Sequence, residues 1–127
     1  MSGKVMHFEI PFDDGDRARG FYEKVFGWQM MPIPEMDYTM VSTGPSDPET
    51  GPTEPGFING GMFQRSDEFP GKGPGIVIDV ASVDEALRAA EEAGGTKVTD
   101  RTPVGDMGFT GYFTDTEGNL VGVWESA

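Results

Sequence analysis

An internal repeat constrains the fold of this chain more than any other feature of its sequence. Residues 7–30 align with residues 75–98 without a gap, and both copies change at the same point from an alternating to a helical apolar pattern. A chain of 127 residues with this repeat is predicted to build one strand–helix unit twice around a shared core. The positions identical in both copies are Ile10 and Ile78, Asp16 and Asp84, Ala18 and Ala86, Glu23 and Glu91, and Gly27 and Gly95.

The first copy predicts a strand followed by an amphipathic helix. Residues 5–12 alternate, which gives one apolar face and leaves His7 and Glu9 on the opposite face. A helix is predicted over residues 17–26, with Asp13, Asp14 or Asp16 as its N-cap and Gly27 as its end. In the second copy, residues 75–80 alternate, Ser82 and Glu85 fit a capping box, and Gly94-Gly95 ends the helix.

The remaining segments predict further short strands. Strands are predicted at residues 28–33, 38–42, 57–63, 96–100, 109–114 and 120–124. Residues 43–56 are rich in proline and glycine, so they are predicted to form a surface loop without regular structure, either functional or a tolerated insertion. The predicted fold class is α+β, with module one at residues 4–63, a linker at 64–73 and module two at 74–126.

Composition narrows the classes of partner. The chain has 22 acidic and 9 basic side chains and a net charge of −13, which disfavours nucleic-acid backbones and anionic membrane surfaces. The absence of cysteine excludes disulfides and thiolate metal sites. No apolar run is long enough to cross a membrane and the first residues lack a signal-peptide core, so a cytoplasmic location is expected.

Three segments resemble the vicinal-oxygen-chelate superfamily, which includes glyoxalase I, bleomycin-resistance and fosfomycin-resistance proteins and extradiol dioxygenases. They are His7-Phe8-Glu9-Ile10-Pro11 through Trp28, Val80-Ala81-Ser82-Val83-Asp84 through Gly95, and Phe113-Thr114-Asp115-Thr116-Glu117-Gly118-Asn119 through Glu125. The resemblance implies two tandem βαβββ modules that form a curved, cup-like mixed sheet with the helices on its outer face. It also implies a homodimer and a ligand site in the cleft of the sheet.

The resemblance further implies a metal site that this chain has lost. Metal-dependent members place four His or Glu ligands in the cleft, and here those positions hold His7, Gly75, Gly60 (or Gly61) and Gly122. Because glycine offers no side-chain donor, no standard metal and no other cofactor is expected. A shifted site built from His7, Glu9 and Asp79, holding zinc, nickel, iron or manganese, is the alternative.

Small residues and aromatic side chains suggest an organic ligand instead. Glycines at the lost positions make room for a ligand beside His7 and Glu9. His7 itself has three readings: a satisfied structural side chain, an acid or base tuned by Glu9, or a simple ligand contact. The aromatic candidates for the pocket wall, each with a core role as its alternative, are Trp28, Tyr38, Phe113 and Trp124.

The sequence therefore predicts a protein that binds a small organic molecule in the cleft, with His7 and Glu9 as candidate catalytic groups. The predicted ligand-binding set is His7, Trp28, Tyr38, Gly60, Phe113, Gly122 and Trp124. A metal-dependent lyase resembling glyoxalase I is the alternative function. A structural descendant without any ligand is a third possibility.

Overall fold

The computed structural model of the protein describes residues 3–69 and 72–127. Two α-helices, ten strands and one short 3-10 helix (Pro34–Met36) are assigned within these ranges. The helices are α1 (Gly15–Phe26) and α2 (Val83–Glu92). The strands are β1 (Val5–Phe12), β2 (Gln29–Ile33), β3 (Tyr38–Ser42), β4 (Ser46–Asp47), β5 (Gly51–Pro52), β6 (Gly60–Gln64), β7 (Gly75–Asp79), β8 (Thr96–Val104), β9 (Gly108–Thr114) and β10 (Leu120–Ser126).

The chain divides into two compact units. The N-terminal unit is His7–Arg65, and the C-terminal unit comprises Met1–Met6 and Ser66–Ala127. Lys4 belongs to the C-terminal unit because its carbonyl accepts a hydrogen bond of 2.9 Å from the backbone N–H of Asp79. The first residues of predicted module one therefore group with the second half of the chain. Pro70 and Gly71, within the predicted linker, lie outside the described residues.

Both units have the same strand order. In the N-terminal unit the order is β2-β3-β6-β1, with β1 parallel to β6 and the other neighbours antiparallel. In the C-terminal unit the order is β8-β9-β10-β7, with β7 parallel to β10 and the other neighbours antiparallel. The predicted α+β class with two βαβββ modules is thus confirmed.

Side-chain caps start both helices at equivalent positions. The Asp14 carboxylate accepts a hydrogen bond of 3.0 Å from the N–H of Arg17. Ser82, which aligns with Asp14 in the repeat, accepts one of 3.2 Å from the N–H of Glu85. Each cap satisfies an N–H group that the helix cannot pair internally. In α2, the N–H of Val83 also donates to Glu125 on β10, at 2.9 Å.

Each helix packs against one face of the sheet of its own unit. In the N-terminal unit the buried core consists of Phe12, Val41 and Met62, with partly buried Phe8, Ile10, Ala18, Tyr22, Trp28 and Met30 around it. In the C-terminal unit it consists of Val80, Val83, Leu87 and Val123, with partly buried Ile78, Ala86, Phe109 and Phe113. The side chains that alternate with these lie on the opposite face of each sheet, which is called here the open face.

Helix α1 buries less of its apolar surface than the sequence predicts. Ala18, Phe21, Tyr22 and Val25 recur at helical spacing and make the apolar side of this amphipathic helix, but Phe21 and Val25 are 56% and 53% exposed. Only Ala18 and Tyr22 pack against the core cluster. No helix among the described residues is long and apolar enough to cross a membrane.

The proline-rich loop contains regular structure that the sequence did not predict. Strands β4 and β5 pair as a short antiparallel ladder within residues 43–56. The Asn59 side chain fixes the loop, accepting from the Thr43 N–H at 2.9 Å and donating to the Ser46 hydroxyl at 2.8 Å. The prediction that this segment lacks regular structure is therefore wrong, because side-chain bonds compensate for its poor strand propensity.

Candidate functional site

Three polar side chains meet on the open face of the N-terminal unit. The Tyr38 hydroxyl on β3 donates a hydrogen bond of 2.9 Å to Oε2 of Glu9 on β1. The hydroxyl oxygen of Tyr38 also lies 2.9 Å from Nε2 of His7. Glu9 is only 8% exposed, so its carboxylate is held in a largely desolvated position. His7, Glu9 and Tyr38 thus form one hydrogen-bonded chain, which is called here the His7–Tyr38–Glu9 relay.

Gly61 makes the relay possible. On β6, Gly61 lies between Glu9 of β1 and Met40 of β3 in the strand register. A methyl group added at Gly61 would overlap the phenol of Tyr38. The Tyr38 ring therefore occupies the space that any side chain at position 61 would fill, and its hydroxyl reaches β1 across the gap.

The relay defines the protonation of His7. Because Tyr38 donates its proton to Glu9, its oxygen can only accept from His7, which requires a proton on Nε2. Burial lowers the pKa of His7 from 6.5 to about 4, so the imidazole is neutral at pH 7. Its Nδ1 is then an acceptor. No described residue bonds Nδ1, and no buried unpaired side-chain atom is found among the described residues, so Nδ1 is accessible to solvent.

The donor set at this face does not suit a divalent metal. Zinc and related ions take three or four protein ligands in stable sites. Among residues 3–69 and 72–127, no group of three or more His, Asp or Glu side chains is placed to hold an ion. Asp79, the third member of the hypothetical set His7, Glu9 and Asp79, belongs to the C-terminal unit. In addition, Nε2 of His7 is already bonded to Tyr38.

Apolar side chains flank the relay on the same face. Met31 on β2 pairs with Met40 on β3, and Met40 is next to Gly61 in the strand register. Met31 is 65% exposed and Met40 is 42% exposed. Neither methionine was proposed from the sequence, although both share strand parity with Tyr38. Thioether side chains adapt to irregular apolar ligands, so they extend the candidate site beyond its polar centre.

In the C-terminal unit, as in the N-terminal unit, a tyrosine ring covers a glycine of the sheet. A methyl group at Gly122 would lie 2.9 Å from the ring of Tyr112 and 3.2 Å from Val77, so Tyr112 covers this position. Trp124 shares the open face with Gly122, as strand parity predicts, and its ring lies against Gly108. At Gly75 an added methyl group would lie 2.8 Å from the carbonyl oxygen of Leu120. A metal-ligating side chain at Gly75 or Gly122 would therefore have to displace neighbouring atoms.

Three predicted ligand-binding residues lie in the cores. Trp28 stacks on Tyr22 with ring centroids 4.8 Å apart, and it packs in the core beside α1. Phe113 packs on the core beside α2, while its neighbour Tyr112 takes the open face. Gly60 lies beneath the ring of Phe8 on the helix side. Trp28 and Phe113 thus take the core role that the sequence left as their alternative, and Gly61 rather than Gly60 lies on the open face.

The C-terminal unit also contains an open pocket of about 520 Å³. It is lined by residues 72–76 and by the turn between β9 and β10. In that turn the Asp115 carboxylate accepts hydrogen bonds from the side-chain amide of Asn119 and from the backbone N–H groups of Asn119 and Glu117, and these bonds hold its pKa below the usual value. The carboxylate thus stabilises the turn, and the polar residues of the candidate site lie in the other unit.

Comparisons with known proteins find similar sequences. Residues 4–44, which include His7, Glu9 and Tyr38, match the family model of the bleomycin resistance protein-like N-terminal region. A glyoxylase-like domain-containing protein from Didymella fabae is 29% identical over 94% of this chain and 91% of its own length. The sequence match therefore covers both units.

Solved structures show the same fold. A glyoxalase/bleomycin resistance protein/dioxygenase superfamily member from Vibrio splendidus 12B01 matches with a TM-score of 0.63 and 11% identity, over 97% of this chain and 98% of that one. A Streptomyces coelicolor methylmalonyl-CoA epimerase matches with a TM-score of 0.63 and 19% identity, over 100% and 99%. The protein thus has the fold of these solved structures. The resemblance predicted from its sequence is confirmed.

Proposed function

We propose that this protein binds a small organic molecule on the open face of the N-terminal unit, without a metal of the kind that metal-dependent members of the superfamily use. The observation that carries the proposal is the His7–Tyr38–Glu9 relay. Its three polar groups are held by a 2.9 Å bond on each side of the Tyr38 hydroxyl and sit beside exposed methionines. A few fixed polar groups within an apolar surround are typical of a small-molecule site.

The composition of the relay supports binding more than metal chemistry. Tyr38 fills the position where metal-dependent members are expected to carry a ligand, and it engages the nitrogen of His7 that would otherwise face an ion. Glu9 is buried and already accepts a hydrogen bond. A ligand approaching this face meets prearranged groups, which lowers the entropic cost of ordering them on binding.

Binding and metal content test the proposal together. Protein purified without added metal is analysed for bound elements, and a compound library is screened by thermal shift with wild type and Tyr38→Phe. We expect metal well below one equivalent, and hits whose affinity falls about fivefold in Tyr38→Phe, since a hydrogen bond contributes about 1 kcal/mol. Tyr112→Phe is the matched control, because it makes the same change on the other unit, and it should leave the affinity unchanged.

A different set of results would favour the metal-dependent alternative. One equivalent of zinc or nickel, with turnover of the methylglyoxal–glutathione adduct that is lost in His7→Ala, would identify a lyase resembling glyoxalase I. Hits that bind Tyr38→Phe as tightly as wild type would place the ligand elsewhere. Either result would contradict the proposed site.

We further propose that the protein is a homodimer, as its resemblance to the superfamily implies. Light scattering coupled to size exclusion should give twice the chain mass of 13.7 kDa. A mass of one chain across the accessible concentration range would contradict this expectation.

A further inference from the structure

Helix α1 carries basic and apolar side chains together along one exposed side. Phe21 and Val25 are 56% and 53% exposed, and α1 has no buried residue. Two basic residues share their side of the helix, because residues three or four positions apart are neighbours on a helix surface. This set is called here the α1 stripe, and it consists of Arg17, Phe21, Lys24 and Val25. Exposed apolar residues edged by basic ones are typical of a protein contact surface.

Helix α2 carries the opposite chemistry at the same positions of the repeat. When residues 7–30 are aligned with residues 75–98, the two basic residues of the α1 stripe correspond to glutamates, and its two apolar residues correspond to alanines. All four of the corresponding residues are exposed. They are called here the α2 stripe, and they are Glu85, Ala89, Glu92 and Ala93. The two stripes are therefore complementary in both charge and side-chain size.

The charges of both stripes have no partner within the described part of the chain. Arg17, Lys24, Glu85 and Glu92 form no ion pair with a described residue. With a net charge of −13, two copies of the chain repel each other in general. Basic groups beside an apolar patch reverse this repulsion locally where they meet an acidic surface, and such complementarity fixes which surfaces pair.

The geometry points to one occupant of the α1 stripe: we propose that it docks on the α2 stripe of a second copy of this chain. The charged residues of both stripes are seven positions apart, so they match whether the helices run parallel or antiparallel. Phe21 and Val25 then lie over alanines, whose small side chains let two helices approach closely. A closed dimer makes this contact twice, because each copy supplies both stripes. The inference rests on the homodimer proposed above and names its surfaces.

Charge reversal tests the pairing. One full-length variant, Arg17→Glu with Lys24→Glu, makes the α1 stripe acidic. The other, Glu85→Lys with Glu92→Lys, makes the α2 stripe basic. Each variant alone places like charges opposite each other, so we expect the dimer dissociation constant from analytical ultracentrifugation to rise about a hundredfold. The second variant has a smaller net negative charge, so overall repulsion alone would predict a tighter dimer instead.

A mixture of the two reversal variants restores opposite charges at both contacts. We expect a heterodimer nearly as tight as the wild-type dimer, and its total charge equals that of the wild-type dimer. Glu23→Lys with Glu91→Lys is the matched control. It makes charge changes of the same size on the same two helices outside both stripes, and it should not weaken the dimer.

Disulfide trapping provides a second measurement that does not alter the charges. The chain has no cysteine, so Phe21→Cys and Ala89→Cys would each introduce the only thiol of their chain. After mixing and oxidation, the two variants should cross-link to each other more than either does to itself. The proposal places position 21 of one copy against position 89 of the other, and a disulfide forms only between closely apposed residues.

The outcomes separate this inference from the homodimer itself. Reversal variants that dimerise as tightly as wild type would overturn the pairing of the stripes and leave the homodimer intact. Weakened variants whose mixture stays monomeric would also overturn the pairing, because the charges would then not be complementary across the contact. A wild-type protein that is monomeric at every concentration reached would overturn both.

Discussion

At the scale of single residues, the site depends on the absence of a side chain at Gly61. Tyr38 leans across this glycine and connects β3 to the buried carboxylate of Glu9. The sequence Gly60-Gly61 carries no signal for which glycine faces the relay, since neither has a side chain. Only the strand register, which pairs Glu9 with Gly61, resolves it.

Gly61→Ala should destabilise the protein. The added methyl group would overlap the Tyr38 phenol, and we expect a loss of about 1–3 kcal/mol in the free energy of unfolding from overpacking. Urea unfolding followed by circular dichroism measures the change. Gly20→Ala on exposed α1, where nothing lies within 4 Å, is the control and should stabilise by about 0.5–1 kcal/mol. Equal effects of the two substitutions would contradict the described position of Tyr38.

The lowered pKa of His7 should make stability depend on pH. The imidazole titrates near 6.5 when unfolded and at about 4 in the fold, so between these values the unfolded chain binds more protons. Stability attributable to His7 is therefore present above about pH 6.5 and is lost as the pH falls towards 4, by on the order of 3 kcal/mol. His7→Gln has no titrating ring and should lack this component. If the free energy of unfolding changed with pH equally in wild type and His7→Gln between pH 7 and about 4, a lowered pKa of His7 would be refuted.

At the scale of secondary-structure elements, the repeat was predictable because its signals are local. Alternation of apolar residues located β1 and β7, and polar side chains at Asp14 and Ser82 located the helix starts. The choice between Tyr112 and Phe113 was not predictable, because two adjacent aromatics give no contrast in polarity and the face is decided by packing against α2. The exposure of Phe21 was likewise not predictable, because its helical spacing matches that of the packed residues Ala18 and Tyr22.

Removal of either helix cap should have a similar cost. Asp14→Ala and Ser82→Ala each delete the acceptor of one helix N–H, and we expect about 1 kcal/mol of destabilisation from each. Thermal and urea unfolding measure both. Glu23→Ala, on an exposed position of α1, should stay within about 0.5 kcal/mol of wild type. If a cap substitution lowered the free energy of unfolding no more than Glu23→Ala does, the repeated caps would not stabilise the helices.

At the scale of the whole molecule, the charge balance dominates behaviour in solution. With 22 acidic and 9 basic side chains, self-repulsion opposes the folded state at low salt. We expect the Tm to rise when sodium chloride is increased from about 10 mM to 500 mM, because the Debye length falls from roughly 30 Å to a few ångströms. A Tm that falls with salt would mean that attractive ion pairs outweigh the repulsion.

The superfamily fold was predictable from the order of motifs along the chain, whereas the content of the site was not. His7 and Glu9 share a strand face by parity, so their proximity follows from the sequence. Their connection through Tyr38 follows only from the tertiary structure, because 29 residues separate Glu9 from Tyr38 and the contact crosses β6. The pairing of β3 with β6 and β2 likewise places Met40 next to Gly61 and Met31 next to Met40.

The most direct measurement is the imidazole ¹⁵N spectrum of the free protein, in which every histidine signal belongs to His7 because the chain has one histidine. We expect a neutral ring protonated at Nε2 at pH 7, a pKa of about 4, and no change on adding one equivalent of zinc. A ring that titrates near 6.5 with both tautomers populated, or a nitrogen resonance shifted by stoichiometric zinc, would contradict a relay built to receive an organic ligand.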